Sequence, residues 1–246
     1  MPTAAEINKF KSLKDRQYRL KYGVFVAETP KVVSDLIDSG MAVEIIYVTN
    51  DNFSKWKNKY PDINIESISN KELHRLSFLK SPNEVSAVFK FPSKIKFIQQ
   101  KITFILDNIS DPGNMGTILR TAHWFGIKNI ICTEKCVDIF NPKVVQSTMG
   151  SLAQVNVYYC SKETIISMLD KSTTIYGSYM EGENVFKVDF KFPLAIVIGN
   201  ETHGISELKT IIEKSITIPP ADDGNCPDSL NAAVATALLM SVVSAK

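Results

Sequence analysis

The run Leu194-Ala-Ile-Val-Ile-Gly199 is apolar along its whole length. A strand without polar alternation must be covered on both faces, which excludes a sheet with a wet side. Similar runs occur at 102–107, 129–133, 155–159, 173–177 and 215–218. Helix-forming stretches near 114–125, 141–149, 161–170 and 205–212 separate them, and a final run, SLNAAVATALLMSVVSA, is rich in small and apolar residues. This alternation predicts an open, mainly parallel sheet covered by helices. Ligands of such sheets bind beyond the carboxyl ends of the strands.

The upstream part alternates on a smaller scale. Strands are expected at 24–28, 43–49, 63–68 and 85–91, with helices near 30–39, 51–59 and 70–77. The segment FPSKIKFIQQK reads as a linker. Two α/β domains are therefore expected, 1–92 and 97–246.

Charge separates the two parts. The chain has 28 Lys/Arg and 26 Asp/Glu, a net charge of +2. Residues 1–96 hold 16 basic and 11 acidic residues, a balance of +5, which leaves 12 and 15, or −3, for the remainder. Lys9, Lys11, Lys14, Arg16, Arg19 and Lys21 fall within thirteen residues, opposed only by Asp15. Such a cluster is either a solvated helix face or the electrostatic footprint of a nucleic-acid binder.

Cys132, Cys136, Cys160 and Cys226 form no Cys-x-x-Cys pair, and the three histidines complete no metal-ligand spacing, so reduced thiols and no metal are expected. No apolar run reaches the roughly 20 residues of a membrane span. With no signal-peptide pattern at the N-terminus, a cytoplasmic protein is expected.

Three stretches lie where the strand-end rule places a site: DPGNMGTILR, IGNETHG and IPPADDGNCPDSLNAA. Neither common phosphate loop fits. The first turn offers Gly113-x-x-Gly116 without the third glycine of a dinucleotide fingerprint, and no G-K-[ST] is present. His123 and His203 read as structural residues.

Together the three stretches resemble the motifs of the SpoU, or TrmH-like, branch of the SPOUT RNA methyltransferases. LDNISDPGNMGTILRTAHWFG resembles the first motif, with Asn114 and Arg120 in place. IGNETHGIS resembles the second, with Gly199, Asn200, Glu201 and Gly204, and SLNAAVATALL the third, with Ser229, Leu230 and Asn231. The segment LKDRQYRLKYGVFVAE is similar to the start of the substrate-binding domain often joined to these enzymes, a ribosomal-protein-like RNA binder. The chain departs from the pattern in the longer link PADDGNCPD, with Asp222, Asp223 and Asp228, in Pro220, and in Thr202.

The resemblance implies a methyltransferase domain with a C-terminal trefoil knot, a homodimer, and S-adenosylmethionine held by the backbone around Gly199, Asn200, Ile218 and Leu230. Ser178 and Tyr179 are further candidates for that pocket. The implied reaction is methyl transfer to a ribose 2′-hydroxyl of RNA, ribosomal RNA before tRNA. Arg120 would hold a phosphate beside the ribose, because its planar fork matches phosphate oxygens. Asn114, Ser229 and Asn231 would orient the ribose and Arg120, while Glu201 would brace that network or bind Arg120. Lys14, Arg16 and Arg19 are expected to contact RNA. A non-catalytic RNA-binding protein that keeps the fold is the alternative of a different class.

Overall fold

The computed structural model describes residues 2–93, 95–221 and 227–246. Asp222, Asp223 and Cys226 lie outside the described residues. In chain order the elements are α1 (Ala4–Ser12), α2 (Arg16–Tyr22), β1 (Val24–Glu28), α3 (Pro30–Asp38), β2 (Val43–Thr49), α4 (Phe53–Lys59), β3 (Ile65–Ile68), α5 (Asn70–Leu76) and β4 (Val85–Lys90). There follow β5 (Ile102–Leu106), α6 (Pro112–Trp124), β6 (Asn129–Thr133), α7 (Pro142–Thr148), β7 (Asn156–Cys160), α8 (Lys162–Met168), β8 (Thr174–Asn184), β9 (Leu194–Ile198), β10 (Lys214–Thr217) and α9 (Ala232–Ser244).

The chain forms two units, one of Met1–Lys94 with Asp138–Ala153 and the other of Ile95–Val137 with Gln154–Lys246. The first is built on a four-stranded sheet ordered β1-β4-β2-β3, antiparallel except between β2 and β3. Ile7, Phe10 and Leu13 of the α1 region pack with Val24, Val26, Tyr47, Leu73 and Val88 on one side of it. Thr3 and Glu6 begin α1 as a reciprocal capping box, which satisfies two donors that a helix start leaves open.

Helix α2 has only seven residues, too few to persist alone. Two devices hold it. Gly23 ends it in a left-handed conformation, φ 66°, which glycine adopts without a Cβ clash. Arg19 turns inward, is 2% exposed, and pairs with Asp138 at 2.7 Å. The same guanidinium donates to the carbonyls of Leu13 at 2.8 Å and Lys14 at 2.7 Å. Arg19 is thus a buried anchor and not the surface RNA contact expected of it, whereas Lys14 and Arg16 are exposed. Phe140, two residues after Asp138, stacks between Phe25 and Phe91 with ring centroids 4.9 and 4.3 Å away. The segment 138–153 therefore completes the core of the first unit.

Glu28, at the end of β1, is also buried there. It accepts the Phe78 N–H at 3.0 Å and the Ser86 hydroxyl at 3.2 Å. Burial nevertheless wins and pushes its carboxyl above the ordinary value.

The second unit carries six strands ordered β10-β8-β9-β5-β6-β7, every neighbouring pair parallel. The central strand β9 is buried at every position, as its unbroken apolar run requires. Strands adjacent in sequence are not adjacent at β9-β5, which makes the carboxyl ends there a switch point. One expected helix is missing. Residues 205–212 form only a short 3-10 turn, Lys209–Ile211. The start of this segment is held by Asp107, whose Oδ2 accepts the N–H groups of Ser206, Glu207 and Leu208 at 2.7, 2.9 and 3.3 Å.

Cys132, Cys136 and Cys160 are free thiols. Burial pushes the Cys132 thiol well above its usual range, which keeps it protonated and inert. Among the described residues no group of His, Cys, Asp and Glu could hold a metal ion, and no helix is long and apolar enough to cross a membrane.

Candidate active site

Three loops and two helix starts meet at the carboxyl ends of β5 and β9. Strand β5 runs directly into Asp107 and Asn108. Asn108 adopts a left-handed φ of 59°, which asparagine tolerates better than most residues. Its N–H donates to Thr133 Oγ1 at 3.0 Å, its Nδ2 donates to Ser206 Oγ at 2.9 Å, and its carbonyl accepts Asn200 Nδ2 at 3.0 Å. With the three bonds to Asp107, these contacts tie the loop after β9 to the end of β5.

That loop, Gly199 to Leu208, turns on itself. The Asn200 and Gly204 backbones exchange two hydrogen bonds, of 3.1 and 2.8 Å. The fold is so tight that a Cβ on Gly199 would sit 2.1 Å from the Gly204 carbonyl carbon and 2.3 Å from the Ile205 nitrogen. Only glycine fits. Gly204 itself takes φ 61°. The loop's tip presents Glu201 to solvent.

Helix α6 starts sharply because Asp111 caps it, accepting the Asn114 N–H at 2.8 Å, and Pro112 supplies a helix-ready φ at the first position. Asn114 therefore projects from the first turn. Asn231 plays the corresponding part for α9, where its Oδ1 accepts the N–H groups of Ala233 at 3.0 Å and Val234 at 3.3 Å.

The three motifs are joined by a relay of side chains. Asn231 Nδ2 donates to Asn114 Oδ1 at 2.9 Å. Asn114 Nδ2 in turn donates to the Glu201 carboxylate. The amide orientations follow from donor and acceptor logic. The cap requires the Asn231 oxygen, so its nitrogen points to Asn114; the carboxylate accepts, so Asn114 must offer its nitrogen there. Each member fixes the next.

Arg120 stands apart from this relay. It follows Asn114 by six residues, about 240° around the helix, and is exposed. Among the described residues it has no ion pair, and Glu201 takes Asn114 as its partner instead. Ser229 and Leu230 precede α9 and are exposed, Leu230 to 46%, while Ile218 and Gly199 are half-buried at the ends of β10 and β9. Tyr179, on β8, packs against the core of this unit. Burial, with the Asp107 carboxylate nearby, pushes its phenol up. Asp107 and Asn108 are the residues that sequence reasoning overlooked. Their signal was present, an Asp-Asn pair closing an apolar strand, but their partners lie about a hundred residues downstream.

A parallel sheet with one polar relay at its switch point, an exposed arginine, Arg120, on the helix that starts there, and a separate α/β unit with a basic N-terminal stretch are the features of a two-part protein with a strand-end site. The chain belongs to the SpoU rRNA methylase family, whose model matches residues 101–241, and residues 4–87 match the MRM3-like substrate binding domain.

Relatives and solved structures agree. The chain is 28% identical over 258 residues to the 23S rRNA (uridine(2479)-2′-O)-methyltransferase of Streptomyces viridochromogenes, covering 94% of this chain and 86% of that one. It is 26% identical to the mitochondrial rRNA methyltransferase 3 of Mus musculus, covering 93% and 69%. A TrmH-family structure from Porphyromonas gingivalis, described as an RNA methyltransferase, superposes with a TM-score of 0.86 at 31% identity, over 98% of both chains. The SpoU methyltransferase AviRb of Streptomyces viridochromogenes, solved with AdoMet, gives 0.86 at 25% identity, over 99% and 98%.

Proposed function

We propose that this protein transfers a methyl group from S-adenosylmethionine to a ribose 2′-hydroxyl of ribosomal RNA. The observation that carries the reading is the Asn231–Asn114–Glu201 relay, which links all three family motifs at the sheet's switch point. The cap of α9 accounts for Asn231 Oδ1, but it does not require the bonds that carry the relay on to Asn114 and Glu201.

The residues fit the cofactor. Leu230 is half-exposed, and its backbone makes no hydrogen bond among the described residues. At Gly199 the turn leaves no room for a side chain, and Asn200 spends its amide on Asn108 and Thr202, so the groups of this turn left to offer a ligand are mainly main-chain ones. Gly199, Asn200, Ile218 and Leu230 would hold the adenosine in this way. When bound, S-adenosylmethionine supplies an electrophilic sulfonium methyl. The protein must then align the hydroxyl with it, which is chiefly proximity and orientation. Asn114 and Asn231 would orient the ribose, with Ser229 at the rim, and Glu201 would keep Asn114 fixed. Arg120 would clamp the adjacent phosphate and offset charge as the hydroxyl loses its proton. Lys14 and Arg16 would draw RNA to the first unit.

We also propose a C-terminal trefoil knot and a homodimer through α6 and α9. Trp124, Val234 and Leu238 support the dimer, being 84%, 49% and 38% exposed on these two helices. A cytoplasmic site of action is in keeping with the free thiols.

The test is radiolabelled methyl transfer to ribosomal RNA from cells lacking the gene, followed by mapping of ribose methylation. Label at one ribose is expected. Incorporation into a base, or none, would overturn the reading.

A further inference from the structure

The basic stretch in the first unit is more than a set of charges. Tyr18 and Tyr22 lie one helical turn apart on α2, with their rings stacked 17° from parallel and centroids 6.4 Å apart. Two flexible lysines place their ammonium groups over the outer ring, Lys9 Nζ 5.3 Å from the Tyr22 centroid and Lys21 Nζ 5.6 Å. Tyr22 is 39% exposed, an unusual position for an aromatic at the end of a short helix. Lys14, Arg16 and Lys21 are exposed along the same stretch.

This face is held in place from behind. Arg19, one residue on from Tyr18, points into the protein and bonds to Asp138, Leu13 and Lys14. With Arg19 locked, α2 is fixed in an orientation that leaves Tyr22 exposed and Tyr18 half-buried beside it. The platform also has an edge. Lys9 is paired with Glu44 at 2.8 Å, and beyond them Glu6, Glu44 and Glu66 line a shallow cavity beside Tyr47. A polyanion would be attracted at the tyrosines and repelled at the glutamates.

We propose that Tyr22, backed by Tyr18, is a stacking platform for an unpaired base of the RNA substrate. This rests on the proposed function and deepens it: the first unit reads single-stranded nucleotides next to the methylated region. Aromatic rings interleaved with cations suit single strands, because a splayed base has a free face to stack while its phosphates meet the lysines. In a duplex both faces of every interior base are taken, so the rings would have nothing to hold. An acidic protein segment would satisfy the lysines but leave the rings unused.

The experiment titrates the full chain with a short unstructured A/U RNA and with the same sequence as a duplex, at several salt concentrations. Tyr22→Ala should weaken single-strand binding by about five- to a hundredfold, the loss of one stacked base. Tyr22→Phe should bind like the unaltered chain, since the ring is what stacks. Lys21→Ala should make the salt slope shallower by about 0.7, one phosphate contact on a single strand. Duplex binding should change little in Tyr22→Ala. In case that variant folds poorly, the unaltered protein is photo-crosslinked to RNA carrying iodouridine, and the crosslink is expected on the peptide holding Tyr18 and Tyr22. Equal affinity of Tyr22→Ala and the unaltered chain, an equal loss on the duplex, or a crosslink confined to other peptides would overturn the proposal. Failure of the methyl-transfer assay with the unaltered chain would instead strike the function proposed above.

Discussion

Asn231 Nδ2 donates to Asn114 Oδ1 at 2.9 Å across 117 positions of sequence. The contact makes one residue serve two purposes, as the cap of α9 and as an arm of the site. The two can be separated. Asn231→Asp keeps an acceptor for the Ala233 and Val234 N–H groups, so the helix start survives. Toward Asn114 it replaces a donor with a second carboxylate. Whichever way the Asn114 amide then turns, its oxygen meets a negative oxygen. Asn231→Asp should melt within a degree or two of the unaltered chain and lose methyl transfer, whereas Asn231→Ala should also lose about 1 kcal/mol of stability with its cap. Thermal melting and single-turnover assays on both variants decide this; an active Asn231→Asp would reject the relay.

Arg120→Ala should lower methyl transfer by about a hundredfold or more, as loss of a fixed charge at a developing oxyanion does. Cofactor affinity should stay nearly constant, because Arg120 lies on α6 and touches none of the residues assigned to the cofactor. Calorimetry with S-adenosylmethionine and a label-transfer assay on the same preparation test both halves.

Arg19→Ala should destabilise the first unit by about 3–5 kcal/mol, since Asp138 is left as a partly buried charge without a partner. Arg19→Ala combined with Asp138→Ala should recover part of that loss. Differential scanning calorimetry gives both values. A surface arginine would cost well under 1 kcal/mol, so a small effect would mean that Arg19 is not the anchor described here.

Glu28 gives the protein a pH signature. Its folded carboxyl titrates above the ordinary value of 4.5 because burial disfavours its charge. The native state thus binds the proton more tightly than the unfolded chain does. The resulting stability is fully present below 4.5 and is lost as pH rises through the raised folded value. Glu28→Gln removes the titration, so its stability curve should be flatter across that window. Urea unfolding at a series of pH values compares the two chains, and parallel curves would show that Glu28 is not the responsible group.

The proposed dimer rests on α6 and α9. Leu238→Glu puts a charge on the apolar face that holds Val234, and should give a monomer by light scattering at micromolar concentration. Arg16→Ala, in the other unit, is the control and should keep the mass of the unaltered protein.

What the sequence made legible was local. The run LAIVIG implied a strand covered on both faces, and β9 is buried throughout and parallel to its neighbours. Polar residues after those strands marked the ends at which a site could lie. What escaped notice was decided between distant residues. An arginine in a lysine-rich stretch reads as solvated, and nothing near it announces Asp138, 119 positions away. Residues 205–212 have helix-forming composition yet form only the 3-10 turn Lys209–Ile211, and nothing near them announces that Asp107, about a hundred positions upstream, accepts three of their N–H groups. Charge and propensity are read over a few neighbours; burial and long-range acceptors are not.

The discontinuity of the first unit has a consequence for how the chain is made. Its sheet is complete by Lys90, but Asp138 and Phe140, which neutralise Arg19 and close the ring stack on Phe25 and Phe91, come some fifty residues later. On the ribosome, at about 5–20 residues per second, β1–β4 would emerge seconds before the parts that finish their core. Until then the nascent chain carries an unmatched buried cation and a bare aromatic pair. A gene truncated at the boundary near residue 92 would freeze the protein in that unfinished state, so a soluble fragment of the first unit has to carry the stretch 138–153 along with it.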